Sequence, residues 1–209
     1  AQLKEQPDLT LDQLEAKLKG AWSLIDMNKG WIKDYEYRRA AEMLGKFFKW
    51  NLENKNTLVG VEERFEFKLG SAIVSGSIDR IELTAENKYY IVDLKTGATA
   101  ISHENARENK QLQSYQLAVV NDGFKNKLDH QEVSGAELIF VGDFKAKEAK
   151  PRQQEKIDSK AVTDELIQIS AGMSDKTFTA TINERCRSCA VKSSCPIQPQ
   201  GRSVINNGN

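Results

Sequence analysis

The sequence predicts an α/β domain in which a mixed β-sheet is flanked by helices on both sides. Three observations support this class. Apolar residues recur at three- and four-residue intervals near both ends of the chain, alternate with polar residues from about residue 58 to 95, and run without interruption over 138–141. These patterns are typical of amphipathic helices, half-buried strands and a strand covered on both faces, respectively.

The N-terminal part, 1–56, is predicted to be helical. Apolar residues follow helical spacing from Leu11 to Ile25, directly after Thr10, a residue type that favours helix N-termini. Gly30 interrupts the pattern, and a second amphipathic helix is predicted from Asp34 to Leu52.

The middle of the chain predicts an antiparallel meander of three strands. In Leu58–Leu69 apolar and polar residues alternate, and Glu63 is the exception because it lies on the otherwise apolar face. Two further strands are predicted at Ala72–Leu83 and Tyr89–Lys95, joined by the polar segment 85–87. Together with the following helix, they form a segment, 57–121, that carries the candidate chemistry.

The rest of the chain predicts three more elements and a tail. A helix is expected at Glu104–Val120, an interior strand at Gly135–Gly142 and a last helix at Val162–Met173. The segment Phe144–Lys160, rich in Lys, Gln and Glu, is predicted to be a solvated loop, and the residues from Gln198 a flexible tail.

Composition excludes several classes of protein. The 209 residues are 39% hydrophobic and 29% charged, which suits one soluble globular domain. The sequence contains neither a membrane-length apolar run nor a secretory leader, so we expect a cytoplasmic protein. Thirty basic residues balance thirty acidic ones, so any nucleic-acid surface has to be local.

One local cluster of basic and aromatic residues fits such a surface. It could contact phosphates and stack on bases, although a helix surface whose aromatics pack inward is the alternative that we favour. The residues of this cluster are Lys29, Lys33, Arg38 and Arg39 with Trp31, Tyr35 and Tyr37.

The most informative residues are acids and a lysine in the second and third strands. Asp93 and Lys95 project from one face of their strand because side chains alternate. A two-residue turn before that strand would pair Asp79 with Leu94, whereas a three-residue loop, 85–87, would pair it with Asp93. Asn87 tolerates the left-handed backbone of the longer loop, so we predict that Asp79 and Asp93 converge.

Two adjacent carboxylates repel each other unless a cation lies between them, and Mg²⁺ or Mn²⁺ prefers such oxygen ligands. Lys95 could then orient an attacking water, which suits metal-assisted hydrolysis of a phosphodiester. Glu63 could supply a third oxygen ligand or orient a metal-bound water. The alternative is a solvated strand face with a weak ion pair, but acids interrupting apolar strands favour the site.

Three cysteines form a compact pattern near the C-terminus, Cys186-x2-Cys189-x5-Cys195-Pro196. An odd, clustered set is typical of metal ligands in a reducing compartment rather than of disulfides. The following proline favours an iron-sulfur cluster, and zinc remains open. Buried free thiols are the other alternative, which the polar segment disfavours.

The motifs resemble the RecB-type branch of the PD-(D/E)XK nuclease superfamily. The resemblance rests on Gly76-Ser77-Ile78-Asp79-Arg80, on Ile91-Val92-Asp93-Leu94-Lys95-Thr96-Gly97 and on Gln111-Leu112-Gln113-Ser114-Tyr115. It implies a restriction-endonuclease-like fold and a metal-dependent nuclease site at Asp79, Asp93 and Lys95. It also implies that Gln111 and Tyr115 contact this site or DNA, whereas helix packing alone would explain Tyr115 as well.

The cysteine segment, 178–197, resembles the C-terminal domains of UvrD/RecB-like helicase-nucleases, including the AdnAB type. There, three such cysteines and an upstream one hold a [4Fe-4S] cluster, and a histidine in an early helix is a metal ligand. Here His103 and His130 follow the second motif, and no upstream cysteine occurs. We therefore expect a nuclease domain, 1–197, whose missing elements and incomplete cluster ligands belong before Ala1.

The resemblance implies the C-terminal part of an ATP-dependent DNA helicase and exonuclease in recombination and double-strand-break repair. Its expected partners are single-stranded DNA or DNA ends, a helicase domain of the same chain and a second helicase-nuclease subunit. The sequence has no phosphate-binding loop of the Gly-x4-Gly-Lys-[Ser/Thr] type, and we expect weak activity from this segment alone. The alternative is an inactive DNA-binding or iron-sulfur scaffold domain.

Overall fold

A computed structural model describes residues 6, 8–25, 30–125, 127–175, 179–199 and 201. The chain divides into two compact units, 1–167 and 168–209. The regular elements are α1 (Leu11–Leu24), α2 (Trp31–Glu53), β1 (Thr57–Leu69), β2 (Ala72–Leu83), β3 (Tyr89–Lys95), α3 (His103–Arg107), α4 (Lys110–Val120), β4 (Val133–Phe140), β5 (Lys150–Glu155) and α5 (Ser159–Ser174).

The five strands form one mixed sheet in the order β1-β2-β3-β4-β5. The first three make the predicted antiparallel meander, β4 runs parallel to β3, and β5 runs antiparallel to β4. All but one of the residues of β4 are buried, as expected for a strand with neighbours on both sides. The predictions of a mixed sheet and of this interior strand are confirmed.

Helices cover both faces of the sheet, which confirms the predicted fold class. On one face Met43, Phe47 and Trp50 of α2 pack against a small cluster containing Val92 and Ile139. On the other face the larger core joins α4 to the sheet. Burying one Leu or Ile side chain completely stabilises the folded state by about 1.5–3 kcal/mol. The larger core on the α4 side therefore stabilises the sheet more than the small cluster on the α2 side does. Its residues include Leu112, Leu117 and Val119 of α4 with Ile81 and Ile91 of the sheet.

The N-terminal helices begin where local chemistry favours them. Thr10 caps α1 because its hydroxyl accepts the Gln13 N–H, while the Gln13 side chain accepts the Thr10 N–H in return. Gly30, with φ of 114°, precedes α2, a conformation that an L side chain would strain. Both predicted helices are confirmed, although α2 begins three residues earlier than expected.

The single helix predicted at 104–120 is wrong, because α3 and α4 are separate helices. The Asn109 side chain accepts the Leu112 N–H at 3.0 Å and begins α4. The Gln154 amide donates to the carbonyls of Ala106, Arg107 and Asn109 at 2.9–3.1 Å. These bonds satisfy the carbonyls that the break leaves without helical partners.

The solvated loop predicted at 144–160 is also wrong, because β5 lies within it. This strand is at the edge of the sheet, with β4 on one side and no strand on the other. Pro151 is tolerated there because an edge strand does not need every backbone N–H for pairing. Gln154 is buried and donates hydrogen bonds to carbonyls between α3 and α4. A polar residue therefore occupies a buried strand position where the alternating pattern would have an apolar one. The last helix, α5, is confirmed, with its start at Ser159 rather than Val162.

The second unit contains two short 3-10 helices, Glu184–Ser188 and Lys192–Ser194, in the cysteine segment. Most of the predicted tail, 198–209, lies outside the described residues, as do Lys29 and Phe178. Within the described part of the chain, we find no helix that is both long and apolar enough to cross a membrane.

A buried polar cluster lies on the α2 side of the sheet. Glu82 is fully buried and accepts hydrogen bonds from Asn54 at 2.7 Å, from Asn56 at 3.1 Å and from Arg80. Glu137, which is 5% exposed, belongs to the same region. Burial raises the pKa of the Glu137 carboxyl to about 7, and the Glu82 carboxylate adds to this rise while the Gln153 side chain opposes it.

Glu137 should make folding stability depend on pH. The folded carboxyl keeps its proton to a higher pH than the unfolded one, so stability falls as pH rises from about 4.5 to 7. Glu137→Gln removes this cost, and we expect it to stabilise the protein by up to about 3 kcal/mol at pH 8 but little near pH 5. Urea unfolding at both values measures this, with exposed Glu132→Gln as control. Equal pH dependence in Glu137→Gln and wild type would contradict it.

Candidate active site

The register between β2 and β3 determines the site. Arg80 pairs with Val92, and Leu83 pairs with Tyr89. The Thr84 N–H donates to the Lys88 carbonyl at 2.9 Å, which leaves three residues in the loop, and Asn87 has φ of 57°. This is the predicted loop and the predicted register. The backbone pairing ends at Arg80 and Val92, and Asp79 and Asp93, the next residue of each strand, lie close enough for Asp79 to raise the pKa of Asp93.

Asp79 is fixed through the neighbouring backbone. Its Oδ2 atom accepts the Leu94 N–H at 2.8 Å, and the residue is half-buried. The carboxylate therefore continues the contact between β2 and β3 at the point where their backbone pairing ends. Sequence reasoning did not identify this amide as a partner, because every residue type except proline carries one.

Asp93 and Lys95 form an ion pair beside it. Lys95 Nζ lies 2.6 Å from Asp93 Oδ2, and the Asp93 side chain is 4% exposed while that of Lys95 is 30% exposed. Burial raises the pKa of the Asp93 carboxyl above its usual range, and Asp79 adds to the rise while Lys95 opposes it. The site thus contains a carboxylate whose charge is poorly solvated.

Gln111 and Tyr115 on α4 complete a hydrogen-bonded cluster with these residues. The Gln111 side chain accepts from Lys95 Nζ at 2.8 Å and donates to the Tyr115 hydroxyl at 2.7 Å and to Asp93 Oδ1 at 3.3 Å. The ring of Phe65 lies edge-on to that of Tyr115 at 5.7 Å. Tyr115 is therefore both a core residue and a partner of the cluster, and the two explanations offered for it are compatible.

Glu63 lies on the adjoining strand, where it pairs with Ile78, the residue before Asp79. Its Oε2 atom contacts Lys127 Nζ at 3.1 Å, and its side chain is 24% exposed. A role for Glu63 as a third oxygen ligand stays a prediction.

The donor set fits a hard divalent cation. Asp93 Oδ2 is buried and is paired with the Lys95 ammonium 2.6 Å away. Two carboxylates that lie close together supply the oxygen ligands that Mg²⁺ or Mn²⁺ takes from a protein, with water and substrate oxygens as the remaining ligands. Asp79 and Asp93 are the residues that would hold it.

The three cysteines belong to the second unit. All three are free thiols, and a backbone N–H, that of Asn183, donates to Cys186 Sγ at 3.3 Å. Cys189 is exposed, while Cys186 and Cys195 are half-buried. Within the described residues, no three His, Cys, Asp or Glu side chains are grouped so that they could hold a metal ion.

The two histidines do not join the cluster described above. His130 stacks on Tyr89 with ring centroids 4.6 Å apart, at the opposite end of β3 from Lys95. His103 is the exposed first residue of α3.

Comparison with known proteins places the chain in a family. A search of curated proteins finds no match to the chain. Among solved structures, one described as a crystal structure of SSO0001 is similar at 15% identity and a TM-score of 0.41, covering 88% of this chain and 94% of that one. The family comparison matches residues 1–196 to the PD-(D/E)XK nuclease superfamily. The chain belongs to the PD-(D/E)XK nuclease superfamily.

Proposed function

We propose that this chain is a deoxyribonuclease domain that hydrolyses phosphodiester bonds at Asp79, Asp93 and Lys95 with Mg²⁺ or Mn²⁺. Membership of the superfamily implies phosphodiester hydrolysis of the nuclease type. The observation that carries the assignment of residues is the contact network that joins Asp93, Lys95, Gln111 and Tyr115, with Asp79 on the adjacent strand.

Each residue has a distinct task in this proposal. Asp79 and Asp93 bind the cation, which when bound supplies Lewis-acid polarisation of a phosphate oxygen and lowers the pKa of a water ligand. Lys95 orients the attacking water and neutralises the charge that develops on the phosphate. Gln111 keeps the Lys95 ammonium directed into the site, and Tyr115 holds the Gln111 amide in place.

Asp93→Asn and Lys95→Met should remove nuclease activity. Without one carboxylate the cation is lost, and without the ammonium the transition state loses a charge partner worth about 100-fold in rate or more. End-labelled single-stranded and duplex DNA with Mn²⁺ provides the assay. Asp129→Asn and Lys68→Met, both exposed, are the matched controls.

Loss of activity in Asp93→Asn should not come from unfolding. Burial penalises the Asp93 charge, so we expect this variant to fold at least as stably as wild type. Wild-type rates in Asp93→Asn would remove the assigned site.

Metal binding should be visible without any activity. A cation that binds only the folded state stabilises it by about 2.7 kcal/mol at 100 times its Kd, which raises Tm by several degrees in a domain of this size. We expect this shift with Mn²⁺ in wild type and not in Asp93→Asn, with NaCl at equal ionic strength as control. Protons compete for Asp93, whose pKa is raised, so the shift should shrink on acidification. An equal shift in Asp93→Asn would place the ion elsewhere.

The wider context is part of the proposal. We propose that the domain is of the RecB type and serves, within a cytoplasmic ATP-dependent helicase and exonuclease, in recombination and double-strand-break repair. The motif Ile91-Val92-Asp93-Leu94-Lys95-Thr96-Gly97 and the later Gln111 and Tyr115 support this assignment. ATP-dependent unwinding coupled to degradation, measured with the product of the complete gene, tests it. Degradation that needs no ATP would argue against the helicase.

We further propose that Cys186, Cys189 and Cys195 are ligands of a [4Fe-4S] cluster together with one ligand from outside this sequence. Three free thiols within ten residues and the N–H donated to Cys186 Sγ support it, since such donors are common around cluster sulfurs. Anaerobically purified protein from the complete gene should contain about four iron and four sulfide, and Cys189→Ser should lose them. Ser188→Ala is the control, and zinc without sulfide would contradict the cluster.

A further inference from the structure

An exposed cleft of about 410 Å³ lies beside α2, lined by Tyr35, Arg38, Arg39, Glu42 and Phe144. We call it the aromatic–arginine cleft. Its two rings are accessible, because Tyr35 is 47% exposed and Phe144 is 41% exposed. The prediction that the aromatics of this helix pack inward is wrong for Tyr35 and for Trp31, which is 76% exposed. Two large rings that face solvent next to arginines indicate a binding surface.

One residue of the cleft contacts the backbone segment that directly follows the candidate active site. Arg39 Nη2 donates to the carbonyl of Thr96 at 3.4 Å, and Thr96 directly follows Lys95. Lys46 Nζ donates to the Asp143 carbonyl at 2.7 Å, which fixes the residue before Phe144. The segments at Thr96 and Phe144 follow the carboxyl ends of the parallel strands β3 and β4. Ligands of α/β sheets bind at such ends.

The chemistry of the cleft suits unpaired nucleotides. The Arg39 guanidinium lies 5.1 Å from the centroid of the Phe144 ring, and its buried Nε atom has no hydrogen-bond partner in the described residues. Glu42 lines the cleft, and Glu36 lies 3.5 Å from Arg39, so the positive charge is partly balanced. Stacking on Tyr35 and Phe144 therefore has to supply more of the affinity than charge does.

We propose that the aromatic–arginine cleft binds unpaired nucleotides of the DNA strand next to the phosphate that is cut. In a duplex each base is stacked between its neighbours, so its face cannot reach Tyr35 or Phe144. An unpaired base offers that face and every base has one, so the cleft selects single-stranded or frayed ends without regard to sequence. This inference rests on the proposed nuclease function and adds its substrate class.

Binding of a labelled oligothymidylate, measured by fluorescence anisotropy in EDTA, tests the cleft without cleavage. We expect Tyr35→Ala and Phe144→Ala each to weaken this binding at least about fivefold, and binding of a blunt duplex of two complementary strands to stay unchanged. Tyr35→Phe keeps the ring and should restore binding, while exposed Ile73→Ala on β2 is the matched control. In Mn²⁺ the alanine variants should raise KM for single strands more than they lower kcat.

The outcomes separate the cleft from the active site. If wild type cleaves DNA and both alanine variants have unchanged Kd and KM, the cleft does not bind the strand, and the nuclease proposal is unaffected. Weaker oligothymidylate binding in the variants, with no cleavage by wild type, would support the cleft and refute the nuclease. Equal loss of single-strand and duplex binding would refute the selection of unpaired bases. Should Phe144→Ala fail to fold, Tyr35→Ala decides alone.

Discussion

The pairing of β2 with β3 through a three-residue loop is the constraint on which the site depends. A slip of one residue would pair Asp79 with Leu94 and turn every side chain of one strand to the other face. The buried residues prevent that slip. Ile81 and Ile91 belong to the core on the α4 side, whereas Arg80 lies 5.4 Å from the Trp50 ring on the α2 side. Exchanging them would bury an arginine among apolar residues, so packing fixes the position of the carboxylates.

Two buried carboxylates on opposite faces of the sheet differ in how well their negative charges are compensated. Glu82 is fully buried and accepts hydrogen bonds from Arg80 and two asparagines, so its charge is satisfied within the protein. Asp93 is almost as buried, and its pKa stays raised although Lys95 lies 2.6 Å away, because burial outweighs the ion pair. A buried carboxylate whose charge is incompletely compensated is typical of functional sites.

The elements that depend on local sequence patterns were predicted correctly. Alternation gave β1, β2 and β3, the apolar run gave β4, and the tolerance of Asn87 for positive φ predicted the loop that aligns Asp79 with Asp93. The break between α3 and α4 and the strand β5 were missed together for one reason. Both depend on Gln154, whose amide bonds carbonyls more than 40 positions earlier in the chain, and no window of sequence contains that contact.

The parallel pairing of β3 with β4 explains why chemistry and recognition share one edge of the sheet. Strands that run in the same direction end at the same edge, so Thr96 after β3 and Gly142 after β4 are brought together. Their approach is so close that a Cβ atom on Gly142 would lie 2.0 Å from the Thr96 carbonyl oxygen. Glycine at this position therefore lets the segment carrying Phe144 pack against the segment that follows Lys95. The separation between Phe144 and Lys95 is thus set by backbone contact between the two segments.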